Sequence, residues 1–175
     1  IVTEVGDNYN LNPYNRENSE LLKKKIEDIK QYNPERAALY NLYLQNLDSE
    51  VQFVMTPLET IHDVGASVYP SYCDSVQVVS QLRNPQGGPR YYIQVDLWNK
   101  LSAYHQAGLL MHEFIYREGT SAPHDFKDSI GVRYMNAYIH STKMGTNRAE
   151  FDLVVKCAGF KNNPINLYFL KEPCR

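Results

Sequence analysis

Apolar residues recur at helical spacing near the start of the chain, at Leu21, Leu22, Ile26 and Ile29, with Ser19 placed to cap them. A second stripe follows at Ala38, Leu39, Leu42 and Leu47. Asn33 precedes Pro34, which gives a natural cap followed by proline at the first helical position. Two N-terminal helices are therefore expected. The residues before them, 1–18, are rich in Asn, Gly and Pro and read as an extended arm ahead of a single domain over 19–175.

The pattern then shortens. "VQFVMTPLETI" and "VQVVSQL" are β-branched with partial alternation, and "NPQGGP" is a strong turn. "RYYIQVDLW" alternates, with Tyr91, Ile93, Val95 and Leu97 on one face and Tyr92, Gln94 and Asp96 on the other. This predicts a half-buried strand at a sheet edge, ending at Trp98, in a small mixed sheet of about three strands.

Helical spacing returns in "LSAYHQAGLLMHEFIYREG". Ser102 is the expected cap and Gly119 the expected end, with Leu101, Tyr104, Gly108, Met111, His112 and Ile115 near one stripe. After the loop "TSAPHDF" a further helix is predicted in "KDSIGVRYMNAYIHST". "EFDLVVKCAGF" and "INLYFLKEPC" read as two short strands, or a strand and a loop. Helices, strands, helices and strands in that order give an α+β class.

Composition narrows the function. The 175 residues carry a net charge of −2. No basic stripe with interleaved aromatics appears, which argues against nucleic acid as a partner. The longest apolar runs fall far short of the roughly 20 residues a membrane-spanning helix needs. Tyrosine dominates the aromatics, 14 against 6 Phe and 1 Trp, which suits a core rim or a partly wet cleft. The chain begins at Ile1, as it would if a leader had been removed. Of Cys73, Cys157 and Cys174 none has metal-site spacing. A bridge between Cys157 and Cys174 would close a loop of about 17 residues and imply an oxidising compartment. Three reduced, buried cysteines are the alternative. The expected location is secreted or periplasmic.

The candidate chemistry lies in "AGLLMHEFIYREGTSAPH". On a helix His112 and Tyr116 share a face, with Glu113 rotated by about 100° beside them. Two histidines at that spacing hold zinc in HExxH enzymes, and the glutamate takes a proton from the metal-bound water. "LLMHEFIYREG" resembles the active-site helix of the zincin clan of metallopeptidases, with Tyr116 in place of the second histidine. Gly119 falls at the glycine of the longer HExxHxxGxxH pattern, and His124 lies two residues beyond its third histidine. The stretch is also similar to uncharacterised secreted proteins of Gram-negative bacteria that carry HExxY followed by D-S-x-x-x-R, here Asp128, Ser129 and Arg133. The resemblance spans roughly residues 90–140. It implies a zincin-like hydrolase acting on peptide or cell-wall peptidoglycan, with Glu113 as general base. His112 and His124 would be metal ligands, Tyr116 a further one, and zinc the cofactor.

Two other readings stay open. Without metal, Glu113 beside Phe114 and Tyr116 would have its pKa raised by burial, as in the general acid of lysozyme-type glycosidases. Glu118, Asp125 or Asp128 would then supply a second carboxylate and Tyr116 would orient the first. Alternatively the protein is a non-catalytic binding or structural protein. His112 would then be a core histidine and Glu113 an ion-pair partner of Arg117 or Arg133.

Overall fold

The structure is a computed structural model describing residues 16–59, 76–82, 88–121, 123–144 and 147–161. The fold is α+β, with six helices and a three-stranded mixed sheet among those residues. Helix α1, Arg16–Lys30, buries Leu22, Ile26 and Ile29. Helix α2, Pro34–Glu50, begins at Asn33, whose side chain accepts a hydrogen bond from the Arg36 N–H, as an N-cap does. Because α1 is already helical at Arg16, the extended arm expected over residues 1–18 stops short of 16. Residues 1–15 lie outside the described residues.

Helix α2 runs straight into β1, Val51–Val54. Strand β2 is Val79–Gln81 and β3 is Tyr91–Gln94. The order is β1-β3-β2, with β1 parallel and β2 antiparallel to β3. The expected edge strand is thus the central one. Its alternation came from facing the core with Tyr91 and Ile93, not from an open flank. It also ends four residues earlier than expected. At Gln94 the side-chain oxygen accepts from the Leu97 N–H at 2.6 Å, and this cap turns Val95–Trp98 into a single helical turn, α3.

Helix α4, Ala103–Gly119, starts at the expected Ser102 cap, whose hydroxyl accepts from the His105 N–H. Its buried side carries Gln106, Ala107, Leu110, Met111, Phe114 and Ile115, while Tyr104 is exposed. It packs between α1 and the next helix, α5, Ile130–His140. A buried amide chain ties the layers together. Asn18 Nδ2 donates to Gln106 Oε1 at 2.7 Å, and Gln106 Nε2 donates to the Trp98 carbonyl at 3.0 Å.

Residues 148–157 are not a strand. They form helix α6, Arg148–Cys157, capped by Asn147 and burying Phe151, Val154 and Val155 at helical spacing. Gly159 at φ 85° then turns the chain into Phe160 and Lys161, a backbone conformation glycine adopts without strain. "INLYFLKEPC", Cys73 and Cys174 lie outside the described residues, so the expected Cys157–Cys174 pairing does too.

Helix α5 meets the end of α6 so closely that a Cβ on Gly131 would sit 2.1 Å from the Ala158 carbonyl oxygen. Backbone cannot move aside as a side-chain tip can. Gly131→Ala is therefore expected to destabilise the fold by roughly 1–3 kcal/mol, read as a lower midpoint in urea. An unchanged midpoint would show that the two helices separate at little cost.

Candidate functional site

Glu113 lies on the side of α4 that faces the sheet, and it is 7 % exposed. Its hydrogen-bond partner is Gln81, the last residue of β2. Gln81 Nε2 donates to Glu113 Oε2 and to the Glu113 carbonyl, both at 3.0 Å. On the other side of the same amide, Oε1 accepts from Arg90 Nη1 at 3.4 Å. Burial pushes the Glu113 carboxyl up to about 7, opposed only by the Gln81 hydrogen bond. A neutral amide does little to hold a charge, so desolvation wins. The group therefore exchanges its proton near neutral pH, where general acid–base catalysis is most effective.

Neither arginine expected beside Glu113 pairs with it. Arg117 reaches Glu50 instead, with Nη1–Oε2 at 2.6 Å and Nη2–Oε1 at 3.1 Å. Its guanidinium lies 4.1 Å from the Tyr43 ring centre and donates to the Tyr91 hydroxyl at 3.4 Å. Burial pushes the Tyr43 phenol up to about 12, and raises Tyr91 further. Both phenols therefore stay protonated around Arg117. Arg133 Nη1 donates to Ser129 Oγ at 2.7 Å, and Asp128 Oδ1 accepts from the Ile130 N–H at 3.0 Å. The D-S-x-x-x-R stretch thus organises the start of α5.

His112 and Tyr116 do share a face. Their rings are nearly parallel, 8° apart in plane, with centres 6.5 Å apart. His124 belongs elsewhere. Its ring packs on Phe126 and Phe160, and Nε2 accepts from the Lys161 N–H at 3.1 Å. Among the described residues no group of three or more His, Cys, Asp and Glu is placed to hold a metal ion. Of the ligands expected from the zincin resemblance, His112 and Tyr116 lie side by side, and neither His112 nor His124 belongs to such a group.

The other proposed carboxylates are committed as well. Asp125 lies 2.7 Å from Lys127 at the surface. Glu118 is buried in a network the sequence did not suggest. Arg36 Nε donates to both its oxygens at 3.2 and 3.1 Å, Arg36 Nη2 adds a bond at 2.9 Å, and the Tyr40 hydroxyl donates at 2.7 Å. Arg36 Nη2 also donates to the Lys161 carbonyl at 2.6 Å. The Lys161 peptide is thus held at its N–H by His124 and at its C=O by Arg36.

That grip makes His124 a titration point. Burial is the main influence and lowers its pKa, with Arg36 and Lys161 acting in the same direction against Glu118. A protonated Nε2 could not accept from Lys161. The unfolded chain takes up the proton near pH 6.5 and the native state only below that. Stability is therefore full above about pH 6.5 and is lost as pH falls through the folded value. A His124→Gln variant is expected to lose this part of the acid sensitivity in urea unfolding between pH 7 and 5. A slope unchanged from the parent would refute the assignment.

Comparison with protein-family models, curated proteins and solved structures finds no match. Two of the site's members, Gln81 and Arg90, were absent from the sequence reading. One is a neutral amide in a short strand and the other a basic residue beside a turn, and neither carries a motif. A separate recess of about 370 Å³ is lined by Pro57, Leu58, Val76, Gln77, Gln94, Asp96 and Leu97. It includes none of the predicted site residues. No described helix is long and apolar enough to cross a membrane.

Proposed function

We propose that this protein is a secreted or periplasmic hydrolase of bacterial cell-wall material that uses Glu113 without a metal, as a general acid on a glycosidic bond. What supports this is one arrangement: a buried carboxyl partnered by a neutral amide and, among the described residues, by no cation, so that burial pushes it up to about 7. The protonated carboxyl would donate to the leaving sugar oxygen as the C–O bond breaks. Water adds to the anomeric carbon, and the proton it releases returns to the carboxylate through solvent. Glu50, at the end of α2 and paired with Arg117, is the candidate for a second carboxylate. Glu50 stabilises positive charge only to the extent that Arg117 leaves it free.

The test is turnover of purified peptidoglycan and chitin-type oligosaccharides by the intact chain and by Glu113→Gln. Release of reducing ends by the parent and not by the variant supports the proposal. Equal rates, or none from either, reject it.

A non-catalytic binding protein is the second reading. It is favoured by the depth of Glu113, and by the lining of the recess, which does not include it.

A further inference from the structure

Arg90 stands apart from the other arginines around the helix–sheet seam. Arg36 has Glu118 and Arg117 has Glu50. Among the described residues no carboxylate lies within 4.0 Å of Arg90, which is half-buried. Among the described residues its guanidinium makes one hydrogen bond, the long one to Gln81 at 3.4 Å. A guanidinium that is partly desolvated without a counter-ion is costly to keep. It is also prepared for an anion that arrives later.

Gln81 sets where that anion would sit. Its nitrogen is fixed by two acceptors of Glu113 and its oxygen by Arg90, so the amide has one orientation. The guanidinium is therefore held one amide away from the Glu113 carboxyl, close to the acid but not neutralising it. The charge count favours a monoanion. Glu50 compensates Arg117 and Glu118 compensates Arg36, so Arg90 is the one of the three arginines without a carboxylate partner among the described residues. A planar guanidinium matches a planar carboxylate through two parallel hydrogen bonds, and a single unpaired cation balances a monoanion but not a phosphate dianion.

We infer that Arg90, oriented by Gln81, is the seat of a substrate carboxylate beside the bond that Glu113 acts on. The inference rests on the hydrolase proposal for its role but not for its binding. In cell-wall material such a carboxylate comes either from an acidic sugar or from the end of a peptide stem.

Binding can be read without turnover. The intact chain is titrated with N-acetylmuramic acid, with N-acetylglucosamine as the sugar lacking the acid, and with N-acetyl-alanyl-alanine as the peptide source. Amide shifts of Gln81, Arg90 and Glu113 are followed by NMR. One acidic probe is expected to bind at least tenfold more tightly than N-acetylglucosamine, and whichever acid does so identifies the source. Arg90→Gln should abolish the difference and Arg90→Lys retain part of it. Because the Arg90 side chain has one weak internal bond, both variants are expected to fold, which circular dichroism checks. Equal binding of acid and neutral probes, no binding of any, or unaltered binding in a folded Arg90→Gln overturns the inference. Glu113→Gln should keep the carboxylate preference. A chain that binds acids through Arg90 yet cleaves nothing would sink the hydrolase proposal and leave this seat standing.

Discussion

Glu118→Ala is expected to destabilise the fold by about 3–5 kcal/mol, the largest loss from any single side chain described. The Arg36 side chain is 0 % exposed and that of Glu118 2 %. Their attraction is strong because little water screens it, but taking both charges out of water costs nearly as much. Net stabilisation from the intact pair is therefore small, and the damage from breaking it is large. Removing Glu118 leaves a guanidinium with no counter-ion, over the Phe160 ring at 5.8 Å. It also strips the Tyr40 hydroxyl of its acceptor. Arg36 Nη1 is already buried without a hydrogen-bond partner, so the guanidinium has no slack to absorb the change. The double variant Arg36→Met with Glu118→Leu should recover most of the loss, since no charge then remains buried. Urea unfolding of the two single variants and the double one closes the cycle. A cost below about 1 kcal/mol for Glu118→Ala, the range of an exposed pair, would mean that water reaches the pair.

Glu113→Gln is expected to act in the opposite direction on stability while removing activity. The native carboxyl titrates near 7 against 4.5 for the ordinary group. The folded state thus holds its proton more tightly than the unfolded chain. Stability from this group is complete below about pH 4.5 and is lost as pH rises through about 7. The full loss is roughly 3 kcal/mol, from 1.36 kcal/mol for each pKa unit. Glutamine keeps the shape and has no charge to bury, so the variant should be more stable than the parent at pH 8 and nearly equal at pH 4. If the hydrolase proposal holds, turnover falls about 100- to 10,000-fold in the same variant, the range for a lost general acid. Stability–pH curves for both chains decide the first part whether or not a substrate is known. Parallel curves would show that Glu113 is solvated.

The opposing pH responses of His124 and Glu113 bracket the protein. One weakens it in acid and the other in base.

Local chemistry was legible in the sequence wherever one side chain decides the outcome. Asn33 with Pro34 and Ser102 announced their helices because a cap is read within three residues. Two strands were located by β-branched runs and the third by its alternation. What failed depended on partners distant in sequence. Which strand is central is set by β1 and β2 both pairing with β3, and alternation in "RYYIQVDLW" cannot show that. In residues 148–157 adjacent valines suggested a strand. Phe151, Val154 and Val155 also fit one helical face, and the Asn147 cap with tertiary burial chose the helix. For the site, Glu113 was identified from its place beside His112. The fate of the charges around it was not, because Arg117 meets Glu50 across 67 residues and Glu118 meets Arg36 across 82.

The grip on Lys161 has a consequence for synthesis. Arg36 and the Lys161 carbonyl are 125 residues apart. On the ribosome Arg36 emerges early and Glu118 follows, but Phe160 and Lys161 come last of the four. Until then the ion pair has no ring above it and no peptide across it. A chain ending before Phe160 would lack both the ring beside the Arg36 guanidinium and the peptide that Arg36 and His124 hold.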